Sequence, residues 1–72
     1  MAEQRLGNRL REARAEWGLT QLDLAQAVGV SRKTINTVEN SVFTPSTTLA
    51  LSLAQALGKT VEELFFLISP ES

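Results

Sequence analysis

The stretch that most limits what this chain can become is Gln21–Asn40, which reads QLDLAQAVGVSRKTINTVEN. Leu24 and Val28 stand four residues apart, and Ile35 and Val38 three apart, so each pair shares one face of a helix. Between them lies Gly29. Glycine takes the left-handed conformation that ends a helix at no steric cost. Ser31 follows as an N-cap, its hydroxyl able to accept from free amides in the next turn. Ala25 is small where two steeply crossing helices need a close approach. The pattern is a helix, a tight turn and a second helix.

Composition narrows the chemistry. The chain has 72 residues with no cysteine and no histidine. This excludes disulfides, thiol and Ser-His catalysis and the common transition-metal sites; no cofactor is implied. Carboxylates, lysines and hydroxyls remain, but they form no compact constellation, so an enzyme is not expected. No apolar run reaches the length of a membrane span, and the N-terminus lacks the charged-then-apolar order of a signal peptide, which points to a cytoplasmic protein. The formal net charge is −1 and the pI about 5.3, which disfavours nonspecific binding to nucleic acid. The charge is polarised, however. Arg5, Arg9, Arg11, Arg14, Arg32 and Lys33 precede Asn40, whereas beyond it Lys59 alone stands against Glu62, Glu63 and Glu71.

Taken in order, the sequence predicts five helices in one domain spanning 1–72, an all-α bundle without strands. Leu6, Leu10, Ala13 and Trp17 recur at helical spacing and predict a first helix over about Glu3–Trp17, stopped by Gly18. Thr20 caps the second helix, with Asp23 as the acidic half of a capping box, and leaves Leu22 on an unneeded face. The third helix, about Arg32–Glu39, has an apolar side of Ile35 and Val38 and a polar stripe of Lys33, Asn36, Thr37 and Asn40. Arg32 and Lys33 occupy its first turn, where the helix dipole disfavours cations by about 0.3–1 kcal/mol each. An anionic partner would account for them, and so would chance, since either residue alone is unremarkable. Ser41–Pro45 is a loop anchored by Phe43. Ser46 caps a fourth helix, about Thr47–Leu57, apolar almost all round and expected to be the buried centre. Thr60 caps a fifth, about Val61–Leu67, directing Val61, Leu64 and Phe65 inward, while Phe66, Leu67 and Ile68 leave surplus apolar surface.

The segment LREARAEWGLTQLDLAQAVGVSRKTINTVENSVFTPS resembles the helix-turn-helix domain of the phage repressor/Cro class, the Xre family. The agreement runs over Thr20-Gln21, Leu24-Ala25, Gly29-Val30-Ser31, Ile35, Val38-Glu39 and Pro45-Ser46 and covers roughly residues 5–67. The resemblance implies a five-helix, lambda-repressor-like DNA-binding domain with Arg32–Glu39 as the recognition helix in the major groove, in a bacterial or archaeal nucleoid-associated protein. It assigns base reading to Arg32, Lys33, Asn36 and Thr37. Phosphate contacts fall to Thr20, Gln21, Ser31 and Asn40. A partly buried salt bridge joins Arg14 to Glu39. Two features depart from the family pattern: Ser41 stands where relatives usually have glycine, implying either a left-handed Asn40 or a different helix end. Val42 and Phe43 replace an expected basic residue and tyrosine.

Two functions are compatible with these residues. The first is a transcriptional regulator, a repressor that binds double-stranded DNA at a near-palindromic operator as a homodimer, with Phe66, Leu67 and Ile68 favoured over Leu22 for the interface. The second is a protein-interaction module or accessory subunit that keeps the fold with weak or no DNA binding. If the chain is complete, it lacks a ligand-sensing domain, so a small-molecule effector is not expected.

Overall fold

Four hydroxyl side chains set the helix starts. Thr20, Ser31, Ser46 and Thr60 each accept from the backbone N–H three residues on, at Asp23, Thr34, Leu49 and Glu63. At Thr20 and Thr60 the bond is reciprocated. Asp23 Oδ2 accepts from Thr20 N at 3.0 Å, and Glu63 Oε1 accepts from Thr60 N at 2.7 Å. The capping box therefore works with aspartate as well as glutamate. The computed structural model of the chain describes residues 5–69. Its elements are β1 (Arg5–Asn8), α1 (Leu10–Glu16), α2 (Gln21–Val28), α3 (Arg32–Glu39), α4 (Thr47–Leu57), α5 (Val61–Leu64) and β2 (Phe65–Ile68).

The five helices are present, but the first and last are shorter than expected, because each gives way to a strand. Strands β1 and β2 pair antiparallel, with Arg5 opposite Ile68, Leu6 opposite Leu67, Gly7 opposite Phe66 and Asn8 opposite Phe65. Residues 3 and 4 of the expected first helix lie outside the described residues. The physical reasons are local as well as tertiary. Glycine costs a helix interior up to about 1 kcal/mol relative to alanine, and asparagine competes for backbone hydrogen bonds. Asn8 does so here: its Oδ1 accepts from Leu10 N at 3.0 Å and starts α1 two residues downstream. At the other end the aromatic and β-branched run Phe-Phe-Leu-Ile suits an extended strand better than a third helical turn. Gly7 is buried, and a Cβ built on it would run into Phe66 Cε1, so the Phe66 ring occupies space that only glycine leaves open.

Leu10, Leu24, Ile35, Val38, Leu53, Leu57 and Leu64 form the fully buried centre, with Ala25 also at 0 % exposure where α2 meets α3. Gly29, at φ 77°, ends α2 in the left-handed region, as the turn requires. Helix α4 is not buried all round. Leu53, Ala54 and Leu57 face inward, whereas Leu51 is 56 % exposed. A domain this small packs α4 against α2 and α5 on one side and has no layer for the other. Phe43, expected as a loop anchor, is 48 % exposed, and so fails to bury its ring. Trp17 is 61 % exposed, yet its Nε1 donates to Leu57 O at 2.9 Å, so it ties α1 to the end of α4 by a hydrogen bond more than by burial.

Candidate nucleic-acid interface

The polar faces of α2 and α3 are joined through one carboxylate. Glu39 stands at the C-terminal end of α3, where the dipole disfavours an anion, and its side chain is wholly shielded from solvent. It is fully compensated. Arg14 donates from Nε to Oε2 at 2.7 Å and from Nη2 to Oε1 at 3.3 Å, a bidentate grip. Gln21 Nε2 donates to Oε1 at 3.0 Å and Arg11 Nε at 3.5 Å. Burial by itself would raise the Glu39 pKa; the hydrogen bonds from Arg14 and Gln21, the Arg14 charge and the Arg11 bond outweigh it and hold the carboxyl below its ordinary range. Arg14 also donates from Nη1 to Leu19 O at 2.8 Å, so one guanidinium fastens α1, the turn before α2 and the end of α3.

This network dictates how Gln21 faces. A carboxylate only accepts, so the amide nitrogen must point at Glu39 and the amide oxygen must point away. That oxygen accepts from Arg32 Nη1 at 3.3 Å. Arg32 thus meets a neutral acceptor, and Lys33 meets no side-chain partner among the described residues. The cations in the first turn of α3 are therefore uncompensated within the described residues, in contrast to the anion at its other end.

The remaining expected site residues fall around this face. Asn36 and Thr37 are half-buried on α3. The Thr37 hydroxyl donates to Thr34 O at 2.9 Å. Asn40 donates from Nδ2 to Asn36 O at 2.9 Å and accepts from Arg11 Nη2 at 3.3 Å. The hydroxyls of Thr20 and Ser31 are spent on capping, with Ser31 Oγ also 3.0 Å from Thr34 Oγ1. Arg32 thus meets Gln21 at the start of α2, Asn40 is linked to them through Arg11 and Glu39, and Lys33 is exposed in the first turn of α3. Phe66, Leu67 and Ile68 lie on β2, away from that network: Phe66 half-buried under Arg9, whose Cζ is 4.5 Å from its ring centroid, and Leu67 and Ile68 exposed.

Two participants are not legible as such in the sequence. Asn8 donates from Nδ2 to Val38 O at 2.9 Å and covers the end of α3. Arg11 bridges Glu39 and Asn40. An asparagine two residues before the first leucine of α1 is the available signal for the first. At Ser41 neither expected alternative, a left-handed Asn40 or a different helix end, is found. Asn40 stays at φ −91°, and Ser41 itself takes the left-handed conformation at φ 60°. Its N–H then donates to Val38 O at 3.0 Å, and Val42 N–H to Thr37 O at 2.9 Å, closing the helix end.

Comparison with known proteins agrees with this geometry. The helix-turn-helix family profile matches residues 10–64. An uncharacterized HTH-type transcriptional regulator of Methanothermobacter thermautotrophicus is 48% identical over 59 residues, 81% of this chain and 86% of that protein. Another, YgzD of Bacillus subtilis, is 37% identical over 60 residues, 83% of this chain and 91% of that one. Among solved structures, the restriction-modification controller protein C.AhdI of Aeromonas hydrophila superposes with a TM-score of 0.72 at 38% identity, covering 76% of this chain and 83% of that one. The clp gene regulator ClgR of Corynebacterium glutamicum gives 0.71 at 35% identity, covering 75% of this chain and 57% of ClgR. No helix among the described residues is long and apolar enough to cross a membrane. The chain belongs to the helix-turn-helix family and has the DNA-binding fold of its transcriptional regulators.

Proposed function

We propose that the chain recognises a specific double-stranded DNA site, with α3 in the major groove and the first turn of α2 against one phosphate strand. The observation that carries this reading is the asymmetry of α3. Its misplaced anion, Glu39, is satisfied by Arg14, Gln21 and Arg11, while its misplaced cations, Arg32 and Lys33, face outward with no anion among the described residues. An external polyanion completes the second set. Arg32 and Lys33 suit guanine O6 and N7, Asn36 suits adenine N6 and N7, and Thr37 packs beside them. Gln21 and Asn40, with the backbone amide at Ser31, hold phosphates; the Thr20 N–H is already given to Asp23.

The same reading includes a homodimer acting as a repressor on a near-palindromic operator, two recognition helices one DNA turn apart. Leu67 at 65 % exposure and Ile68 at 46 % support an interface on β2, joined by part of Phe66. Electrophoretic mobility shift of promoter fragments at two salt concentrations tests DNA binding. A retarded complex that weakens with salt and is lost in Arg32→Ala/Lys33→Ala agrees; no complex with any fragment contradicts. A second reading, a protein-interaction module with the same fold, is favoured by the net charge of −1 and the exposed Leu51 and Leu67. It predicts a heteromer whose stability is indifferent to Lys33 and Asn36.

A further inference from the structure

A helix lying in the major groove has a phosphate strand on each side. The α2 start faces one wall. The other wall meets the segment after α3, and there the chain is uncharged: residues 41–58, from Ser41 to Gly58, contain no Asp, Glu, Lys or Arg. A cation for that wall must come from elsewhere. The N-terminal segment reaches it, since Asn8 bonds Val38 O and Arg11 bonds Asn40 at the end of α3.

Of the four arginines in that segment, three are engaged. Arg14 grips Glu39, Arg11 is shared between Glu39 and Asn40, and Arg9 lies over the Phe66 ring. Arg5 has no side-chain hydrogen bond or ion pair among the described residues. It lines a cleft of about 260 Å³ between β1 and the loop after α3, together with Asn8, Ser41, Phe43, Thr44 and Pro45. The Ser41 and Thr44 hydroxyls at this cleft are likewise without a hydrogen-bond partner among the described residues. One unspent cation and two free hydroxyls thus surround an open polar cleft beside the recognition helix.

We propose that this cleft is a phosphodiester-binding site, in which Arg5 of β1, supported by Ser41 and Thr44, holds the DNA strand opposite to the one met by α2. The inference rests on the DNA-binding reading above. It gives the strand ribbon a role beyond packing: pairing with β2 carries Arg5 to the far end of α3.

The test is the salt dependence of affinity for a duplex recovered from random sequence by the wild-type protein. Each phosphate neutralised contributes about −0.9 to the slope of log K against log salt. Arg5→Ala, and Arg5→Gln as a longer neutral replacement, are expected to lower the slope by about 0.9 while keeping the preference for that duplex over a scrambled one. Arg5→Lys should retain the wild-type slope. Far-UV circular dichroism selects folded variants. A wild-type slope in folded Arg5→Ala or Arg5→Gln, or a loss confined to sequence preference, overturns the site while leaving DNA binding by α3 intact. If the wild-type protein enriches no duplex, the DNA-binding reading fails and the site with it.

Discussion

The Arg14 guanidinium grips the Glu39 carboxylate through two nitrogens, the shorter bond 2.7 Å, and only 16 % of the arginine side chain and 0 % of the glutamate side chain reach solvent. This pair sets the position of α3 relative to α1. Through Gln21, it also sets the orientation of the amide that meets Arg32. The proposed interface for DNA is built outward from a buried ion pair.

Removing one partner of such a pair leaves the other charge stranded, at a cost on the order of 3 kcal/mol. Arg14→Met should lower stability by about that amount, with Arg11 and Gln21 softening the loss. Replacing both, Arg14→Met/Glu39→Leu, should recover part of it, because no charge is left stranded, although Leu19 O and the Gln21 amide lose their partners. Urea denaturation of the two singles and the double measures the coupling. A double mutant as unstable as Arg14→Met would refute this assignment.

The Glu39 carboxyl has its folded pKa below the ordinary value of 4.5. A depressed carboxylate contributes stability that is present above the unfolded pKa and lost as pH falls through the folded one. Stability should therefore decline as pH drops below about 4.5, with Asp23, lowered by its bonds to Thr20, adding to the same limb. Thermal melts of Glu39→Gln over this range should show a shallower acid limb than wild type, on a lower plateau at neutral pH.

Gly7→Ala would drive a methyl into the Phe66 ring and into Ile68 Cδ1, which lies 2.8 Å from the ideal Cβ position. Overpacking of this kind costs about 1–3 kcal/mol. The expected melting temperature is lower than wild type, and Phe66→Leu should restore part of the loss in Gly7→Ala. Equal losses in both backgrounds would show that the ring is not the obstacle.

Ser41 holds φ 60° at the end of α3, a region that costs a non-glycine L-residue about 1–2 kcal/mol. Ser41→Gly should relieve that strain, net of glycine's greater chain entropy, and raise stability by up to about 1 kcal/mol. The same substitution removes a hydroxyl from the Arg5 cleft, so DNA affinity should fall as stability rises. Chemical denaturation and a binding titration on one sample separate the two effects.

The parts of the fold that can be read from sequence are those held by short-range interactions. The caps at Thr20, Ser31, Ser46 and Thr60 depend on residues three apart, and the α2–α3 skeleton of Leu24, Ala25, Ile35 and Val38 on spacing within twenty residues, so both are readable. The Arg14–Glu39 bond is legible only through family resemblance and through the need of a shielded carboxylate for a cation. The ribbon is not, because pairing Leu6 with Leu67 joins the two ends of the chain, and Leu6, Leu10 and Ala13 fit a helical stripe equally well. The surplus apolar surface at Phe66–Ile68 is the trace it leaves. The Arg5 cleft depends on that ribbon and is invisible for the same reason.

If α3 reads bases, selection of binding sites from random duplex DNA should enrich a two-fold symmetric sequence with half-sites about 10–10.5 base pairs apart. Asn36→Ala should relax preference at one position of each half-site, at a cost of about 1–3 kcal/mol. Failure to enrich any sequence, or enrichment of one that Asn36→Ala and Lys33→Ala leave unchanged at every position, would contradict base reading by α3.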